Sequence, residues 1–232
     1  MTENDLKFLK GLAKNNNREW FNKHKADFET AQAHFLELVG GLIFALSEFD
    51  ESLTTIDPKS CVFRIYRDVR FAKDKSPYKN HLGAFICAGG RKSNTVPGYY
   101  IHIEPGGKSI FGAGYYLPDK SVLDKLRAEI ASDKSRIAAM FADKKLRKVF
   151  PDIEDEHAAK KVPRGFPADH KNAELLKHKS YFLLAYLSDA EVTGKSLLKG
   201  LAKRGELLAA VRRRLERPAA PGPRAGRAAR CS

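Results

Sequence analysis

Two stretches of this sequence gather residue types able to do chemistry. The denser one reads Arg64-Ile65-Tyr66-Arg67-Asp68-Val69-Arg70-Phe71-Ala72-Lys73-Asp74-Lys75-Ser76-Pro77-Tyr78-Lys79-Asn80-His81. A strand sends alternate residues to one face, so Arg64, Tyr66, Asp68 and Arg70 are expected to share a side while the strand lasts. The loop beyond adds Lys73, Lys75 and Lys79. Guanidinium forks bind carboxylates and phosphates through two parallel hydrogen bonds, and lysines add point charge. Tyr66 and Tyr78 can stack on a ring or donate a hydrogen bond. Arg64, Arg67, Arg70, Lys73, Lys75, Tyr78 and Lys79 are therefore candidate ligand-binding residues for a small phosphate or carboxylate, with nucleic acid as the alternative partner. A lattice of internal ion pairs through Asp68 and Asp74 would use the same residues, and a solvated edge strand carries the same kind of charge.

The second stretch is Tyr99 to Glu104. As a strand it projects Tyr100, His102 and Glu104 from one face and Tyr99, Ile101 and Ile103 from the other. Imidazole titrates near neutrality and a carboxylate can orient it, so His102 is the candidate acid/base, Glu104 its orienter and Tyr100 the third catalytic candidate. His102 and Glu104 could also ligate a metal with His81 as a third ligand, but spacing fixes no third ligand, and the expectation is no metal. A histidine satisfied inside the sheet is the simpler alternative. Other signatures fail: Gly112-Ala113-Gly114 lacks the third glycine and the helix of a dinucleotide fingerprint, and no phosphate loop or Gly-x-Ser-x-Gly elbow occurs. The zinc deaminase pattern needs Pro-Cys-x-x-Cys, which is missing. No cofactor is expected. Trp20-Phe21 reads as packing.

The elements that must position these residues are legible as periodicity. A first helix runs from Glu3 to Lys14, with Leu6, Leu9, Leu12 and Ala13 on one face. Asn15-Asn16-Asn17 stops it, and Asn16 is placed to cap a second helix with Glu19 three residues on. That helix carries Phe21, Phe28, Ala31, Phe35, Leu38 and Leu42 toward a core. Gly40-Gly41 should weaken its end by roughly 1 kcal/mol per glycine relative to alanine. Val62–Tyr66, Leu82–Cys87, Tyr99–Glu104 and Ile110–Tyr116 read as strands, with Glu104-Pro105-Gly106-Gly107-Lys108 as a hairpin turn. Gly89 to Gly98 reads as an exposed loop, and the short connections favour antiparallel pairing. Helix is expected after Pro118-Asp119, with Leu123, Leu126 and Ile130 on one face and then Ile137, Met140 and Phe141. Pro151 to Asp169 reads as irregular. Asn172–His178 should be a short helix, Tyr181–Leu187 a strand and Lys195–Leu215 a helix.

Of the formal charge of +14, seven arginines against one glutamate put +6 into Arg212–Ser232, leaving +8 for the body up to Val211. That excess suits anionic partners without demanding nucleic acid. Residues 1–211 are expected to form one α+β domain and 212–232 a basic tail, its Pro/Ala/Gly/Arg composition from Arg217 onward predicting disorder. Cys61, Cys87 and Cys231 are far apart and odd in number, against a disulfide scaffold. No run of eighteen apolar residues and no basic-then-apolar start occur, so no membrane span or secretory signal is expected. The cysteine usage points to a reducing, cytoplasmic setting. Nothing bears on oligomeric state.

The run from Arg64 to His81 also resembles the signature of the bacterial and fungal family known as domain of unknown function 2461. Phe8-Leu9 through Asn15-Asn16 to Trp20-Phe21 agrees with it, as do Gly98-Tyr99-Tyr100-Ile101-His102-Ile103-Glu104-Pro105-Gly106-Gly107 and Pro163-Arg164-Gly165-Phe166 leading to Leu176-Lys177-His178-Lys179. The resemblance covers roughly Asp5 to Leu208. It implies an identity and a domain extent, not an activity. This chain departs from the family's pattern at its end, where Arg212-Arg213-Arg214 and the Pro/Ala/Arg run replace a more apolar helical segment. The fold expected is α+β: a mostly antiparallel sheet packed by N-terminal and C-terminal helices.

Overall fold

Thr2 opens α1 (Glu3–Lys14): its hydroxyl accepts from the Asp5 N–H while the Asp5 carboxylate accepts from the Thr2 N–H. The three asparagines that follow do three different jobs. Asn15 closes α1 through its N–H to the Gly11 carbonyl. Asn17, not Asn16, caps α2 (Arg18–Lys23) by accepting from the Trp20 N–H. Asn16 instead pairs with Tyr78, donating to its carbonyl at 2.9 Å and accepting from its N–H at 3.0 Å. The helix expected from here is two helices, because the chain breaks at His24 and restarts as α3 (Lys25–Ser47). The computed structural model describes residues 1–153 and 156–216.

Short α4 (Pro58–Cys61) leads toward the sheet. The sheet is antiparallel throughout and ordered β1-β2-β3-β5-β4: β1 (Leu82–Ile86), β2 (Gly98–Ile103), β3 (Ser109–Tyr115), β4 (Asp152–Ile153) and β5 (Tyr181–Leu187). Between β3 and β5 the chain forms α5 (Lys120–Ile130), α6 (Arg136–Phe141), α7 (Lys144–Val149), β4 and α8 (Ala173–Lys177). It ends through α9 (Asp189–Thr193) and α10 (Leu197–Glu216). The fold is α+β, as the periodicity predicts. The hairpin turn between β2 and β3 is also as expected. Gly106 and Gly107 take φ of +85° and +71° there, and the Asp189 carboxylate accepts from both their N–H groups.

One sheet face makes the main core. Tyr99, Ile101, Ile103, Phe111, Ala113, Tyr181 and Leu183 pack there with residues of α1, α3, α5, α6 and α10. Gly40-Gly41 does not end α3. Gly41 brings the helix against Leu198, where an added Cβ would lie 2.9 Å from its Cδ2, and Gly205 of α10 makes the same close approach to Leu46. Gly41 and Gly205 thus serve the α3–α10 crossing. By length and mean hydropathy α3 would suit a membrane span, but its buried stripe from Ala31 to Leu46 packs within the core.

Two sequence expectations need correction. Val62–Tyr66 is not a strand. It makes only isolated bridges, Val62 to Ala84 and Tyr66 to Tyr78, because Asp68 and Asp74 turn the chain by accepting from the N–H groups two residues on, at Arg70 and Ser76. The boundary at 211 falls inside α10, which continues to Glu216 with Arg212 and Leu215 buried. The Arg212 guanidinium donates to Asp50 at 2.8 Å, and the Tyr99 hydroxyl donates to the same carboxylate at 3.1 Å, so the first residue assigned to the tail anchors α10 to the helical layer. The disorder expected from Arg217 onward lies outside the described residues. Finally, α7 and α9 are too short to show a period. Their caps, Asp143 and the Ser188–Glu191 box, are the only local signals.

Candidate functional site

Period-two alternation gives the sheet a second face. Phe85 of β1, Cys87 just after it, and Phe182 and Leu184 of β5 form a small buried cluster, with Phe63, Val96, Tyr100 and Ile110 packed against it. Above this floor lies a cleft of about 670 Å³. Gly112 keeps the floor low. It sits opposite both Tyr100 and Leu184, and an added Cβ would strike the Leu183 carbonyl and come within 2.6 Å of the Phe182 ring.

Tyr100 and His102 form one wall. The His102 Nε2 lies 2.8 Å from the Lys108 carbonyl, which can only accept, so Nε2 carries the proton. Nδ1 then accepts from the Tyr100 hydroxyl at 3.2 Å. With its hydrogen committed, the Tyr100 oxygen can only accept from anything entering the cleft. Burial pushes the Tyr100 hydroxyl up to about 12, assisted by Tyr116 and Glu104. Burial also lowers His102, against the Lys108 hydrogen bond and Glu104, which raise it. His102 is thus a neutral ring with both nitrogens occupied, and it positions Tyr100.

The expected His102–Glu104 partnership is not a hydrogen bond, since Nε2 and Oε2 are 3.9 Å apart. The orienter of His102 is the Lys108 carbonyl. Glu104 sits almost equally near His81 at 3.8 Å and Lys108 at 3.9 Å. His81 stacks on His102 with ring centroids 4.7 Å apart. Burial, with His102 and Lys79 beside it, lowers His81 to about 3. Among the described residues its ring nitrogens make no hydrogen bond, so it is the histidine of this site with capacity to spare. No group of three or more His, Cys, Asp or Glu side chains among the described residues is arranged to hold a metal ion.

The basic segment splits. Only Lys79 reaches the cleft lining, its ammonium 5.1 Å above the Phe63 ring. Burial and Arg64 lower its affinity for a proton. Arg67 is bonded to Asp74 and to the Ser76 carbonyl. Arg70 makes a two-pronged pair with Asp68, whose carboxyl it holds down to about 2. Lys75 donates to the Val69 carbonyl. Tyr78 is buried and stacked on Phe21 at 4.0 Å. Arg64 and Lys73 are exposed and do not line the cleft. The expected convergence of Arg64 and Arg70 with Tyr100 and His102 does not occur.

The cleft takes its other cations from the loop after β1, where Arg91 and Lys92 line it with Ser93 and Asn94. Arg91 is tied to the Ser60 carbonyl at 2.7 Å, three residues before Phe63 on the segment flanking β1. Tyr116, Leu117 and Glu156 also line the cleft. A second groove, about 510 Å³ beside α10, is lined by Lys148, Lys203, Arg204 and Glu191. Arg204 is bonded to Glu191 there, and among the described residues no histidine or tyrosine lines it.

A family model described as a conserved hypothetical protein, DUF2461, matches residues 4–212. The chain belongs to that family. No curated protein and no solved structure matches the chain. In this DUF2461 chain the matched span holds every residue named in the cleft, and it stops at Arg212, the residue that anchors α10. The residues missed by sequence reasoning, Arg91, Lys92, Phe182 and Leu184, come from a loop and from a strand about eighty positions beyond β2. The one available signal was alternation in Tyr181–Leu187, which sends Phe182 and Leu184 to the face of Tyr100.

Proposed function

We propose that this protein binds a small anion in the cleft on the open face of its sheet. The observation that carries the reading is the meeting of Lys79, Arg91 and Lys92 in one cavity over an apolar floor, where Glu156 is the one carboxylate lining it among the described residues. Lys79 is half-buried with Arg64 nearby, a setting that penalises its charge and that an anion would relieve. His81 and His102 stay neutral near pH 7, so the anion faces lysine and arginine donors rather than imidazolium. Cys61 and Cys87 are free and buried, and we place this activity in a reducing cytoplasm.

Inorganic phosphate at constant ionic strength should raise the thermal midpoint, because a ligand that binds only the native state stabilises it by mass action. Lys79→Gln and Arg91→Gln should each weaken the protection. Equal protection by chloride, or protection indifferent to both substitutions, would remove the reading.

A second reading, nucleic-acid binding, is favoured by Phe71. Its ring is 97% exposed in a loop that also carries exposed Arg70, Lys73 and Lys75, as a stacking platform beside phosphates would be. Fluorescence anisotropy with single-stranded RNA across a salt series tests it. Submicromolar binding at physiological salt that is lost in Phe71→Ala would promote it over the small-anion reading.

A further inference from the structure

Inorganic phosphate would need only the cations of this cleft, and the cleft offers much more. Its volume of about 670 Å³ falls in the range of sites that enclose whole small molecules, ~300–1,000 Å³. Phe63, Phe85, Ile110, Phe182 and Leu184 contribute to its lining. They come from the segment before β1 and from β1, β3 and β5, so the apolar floor spans most of the sheet. Gly112 in the middle leaves that floor flat enough for a planar body, and Tyr100 meets Phe182 edge-on at 6.5 Å, as ring-recognition surfaces do.

The charges give the cleft a direction. Lys79 lies over Phe63 and Arg91 is tied to Ser60, so both cations line the β1 edge. Glu156 follows β4 in the chain and also contributes to the lining. An acid group is attracted to the β1 edge.

Building on the anion reading above, we infer that the ligand is an organic anion with a flat aromatic or heteroaromatic body. Its acid group sits at Lys79, Arg91 and Lys92, and its ring lies over Phe85, Phe182 and Leu184. Tyr100, whose hydrogen is held by His102, accepts a hydrogen bond from a donor on the ring edge.

The test uses the unaltered full chain and four probes at constant ionic strength: 2-naphthoate, its neutral amide 2-naphthamide, the non-planar cyclohexanecarboxylate, and inorganic phosphate. Binding is measured by calorimetry at two protein concentrations. Naphthoate should bind at least about tenfold more tightly than phosphate or cyclohexanecarboxylate, the gain expected from burying a ring, and naphthamide should bind weakly. If phosphate and naphthoate bind equally and both are weakened by Lys79→Gln, the anion reading stands and the aromatic inference falls. If cyclohexanecarboxylate matches naphthoate, the body need not be flat and the inference falls. If naphthamide matches naphthoate, charge is irrelevant and both fall. No binding of any probe sinks both, as does affinity that drops at the higher protein concentration, which would mean that a second copy of the chain covers the cleft.

Discussion

The basic run from Arg64 to Lys79 and the cleft above Tyr100 differ in where each cation finds its counter-charge. In the run, Arg67 and Arg70 are answered by Asp74 and Asp68, a few residues away, on exposed loop chain. In the cleft, Lys79, Arg91 and Lys92 arrive from two loops, and Glu156 is the one carboxylate among the described residues that lines the same cavity. High charge density in sequence marks a segment that satisfies itself. The proposed site is assembled from sparser charges that tertiary structure gathers over an apolar floor.

The largest effect that would break this contrast lies in the floor. Gly112→Ala should destabilise the fold by about 3 kcal/mol, since the new methyl meets a strand carbonyl and an aromatic ring that cannot both retreat. For a chain of this size that lowers the thermal midpoint by roughly 6–12 °C. A neutral outcome would mean the floor is loosely packed and the cleft poorly defined.

A smaller effect follows from the paired histidines. His81 is lowered to about 3 from an ordinary value near 6.5, so between those values the unfolded chain binds more protons than the folded one. Its contribution is complete above pH 6.5 and is lost as pH falls. Stability should decline on the order of 1–2 kcal/mol between pH 6.5 and pH 5, above the window in which Asp68 and other carboxylates titrate. Denaturant titration of His81→Gln should show a flatter profile there. An unchanged slope would place the proton uptake elsewhere.

The smallest effect belongs to the basic run. Arg70→Ala removes a fully exposed pair, and it should leave both the thermal midpoint and phosphate protection unchanged within error. Loss of protection would return the binding site to the segment that sequence alone favoured.

Much of the fold could be read from periodicity. Alternation in 99–104 assigned Tyr100, His102 and Glu104 to one face without tertiary information, and the hairpin and helices α1, α5, α6 and α10 followed from apolar spacing. The same alternation misled in 62–66. There the polar residues cap turns through Asp68 and Asp74 instead of lining a strand. Arg91 and Lys92 were hidden because a loop's composition does not say which sheet edge it folds over. The role of His102 was hidden because its partner is a backbone carbonyl, Lys108, brought close by the hairpin.

The central claim is that anions bind above Tyr100 and not along the basic run. It is tested most directly by following backbone amide and histidine ring NMR signals while inorganic phosphate is added at constant ionic strength. The account predicts saturable shifts at Lys79, Arg91 to Asn94 and the His81 and His102 rings, with the amides from Arg67 to Lys75 unmoved. Saturable shifts confined to Arg64 through Lys75, with the cleft silent, would contradict it.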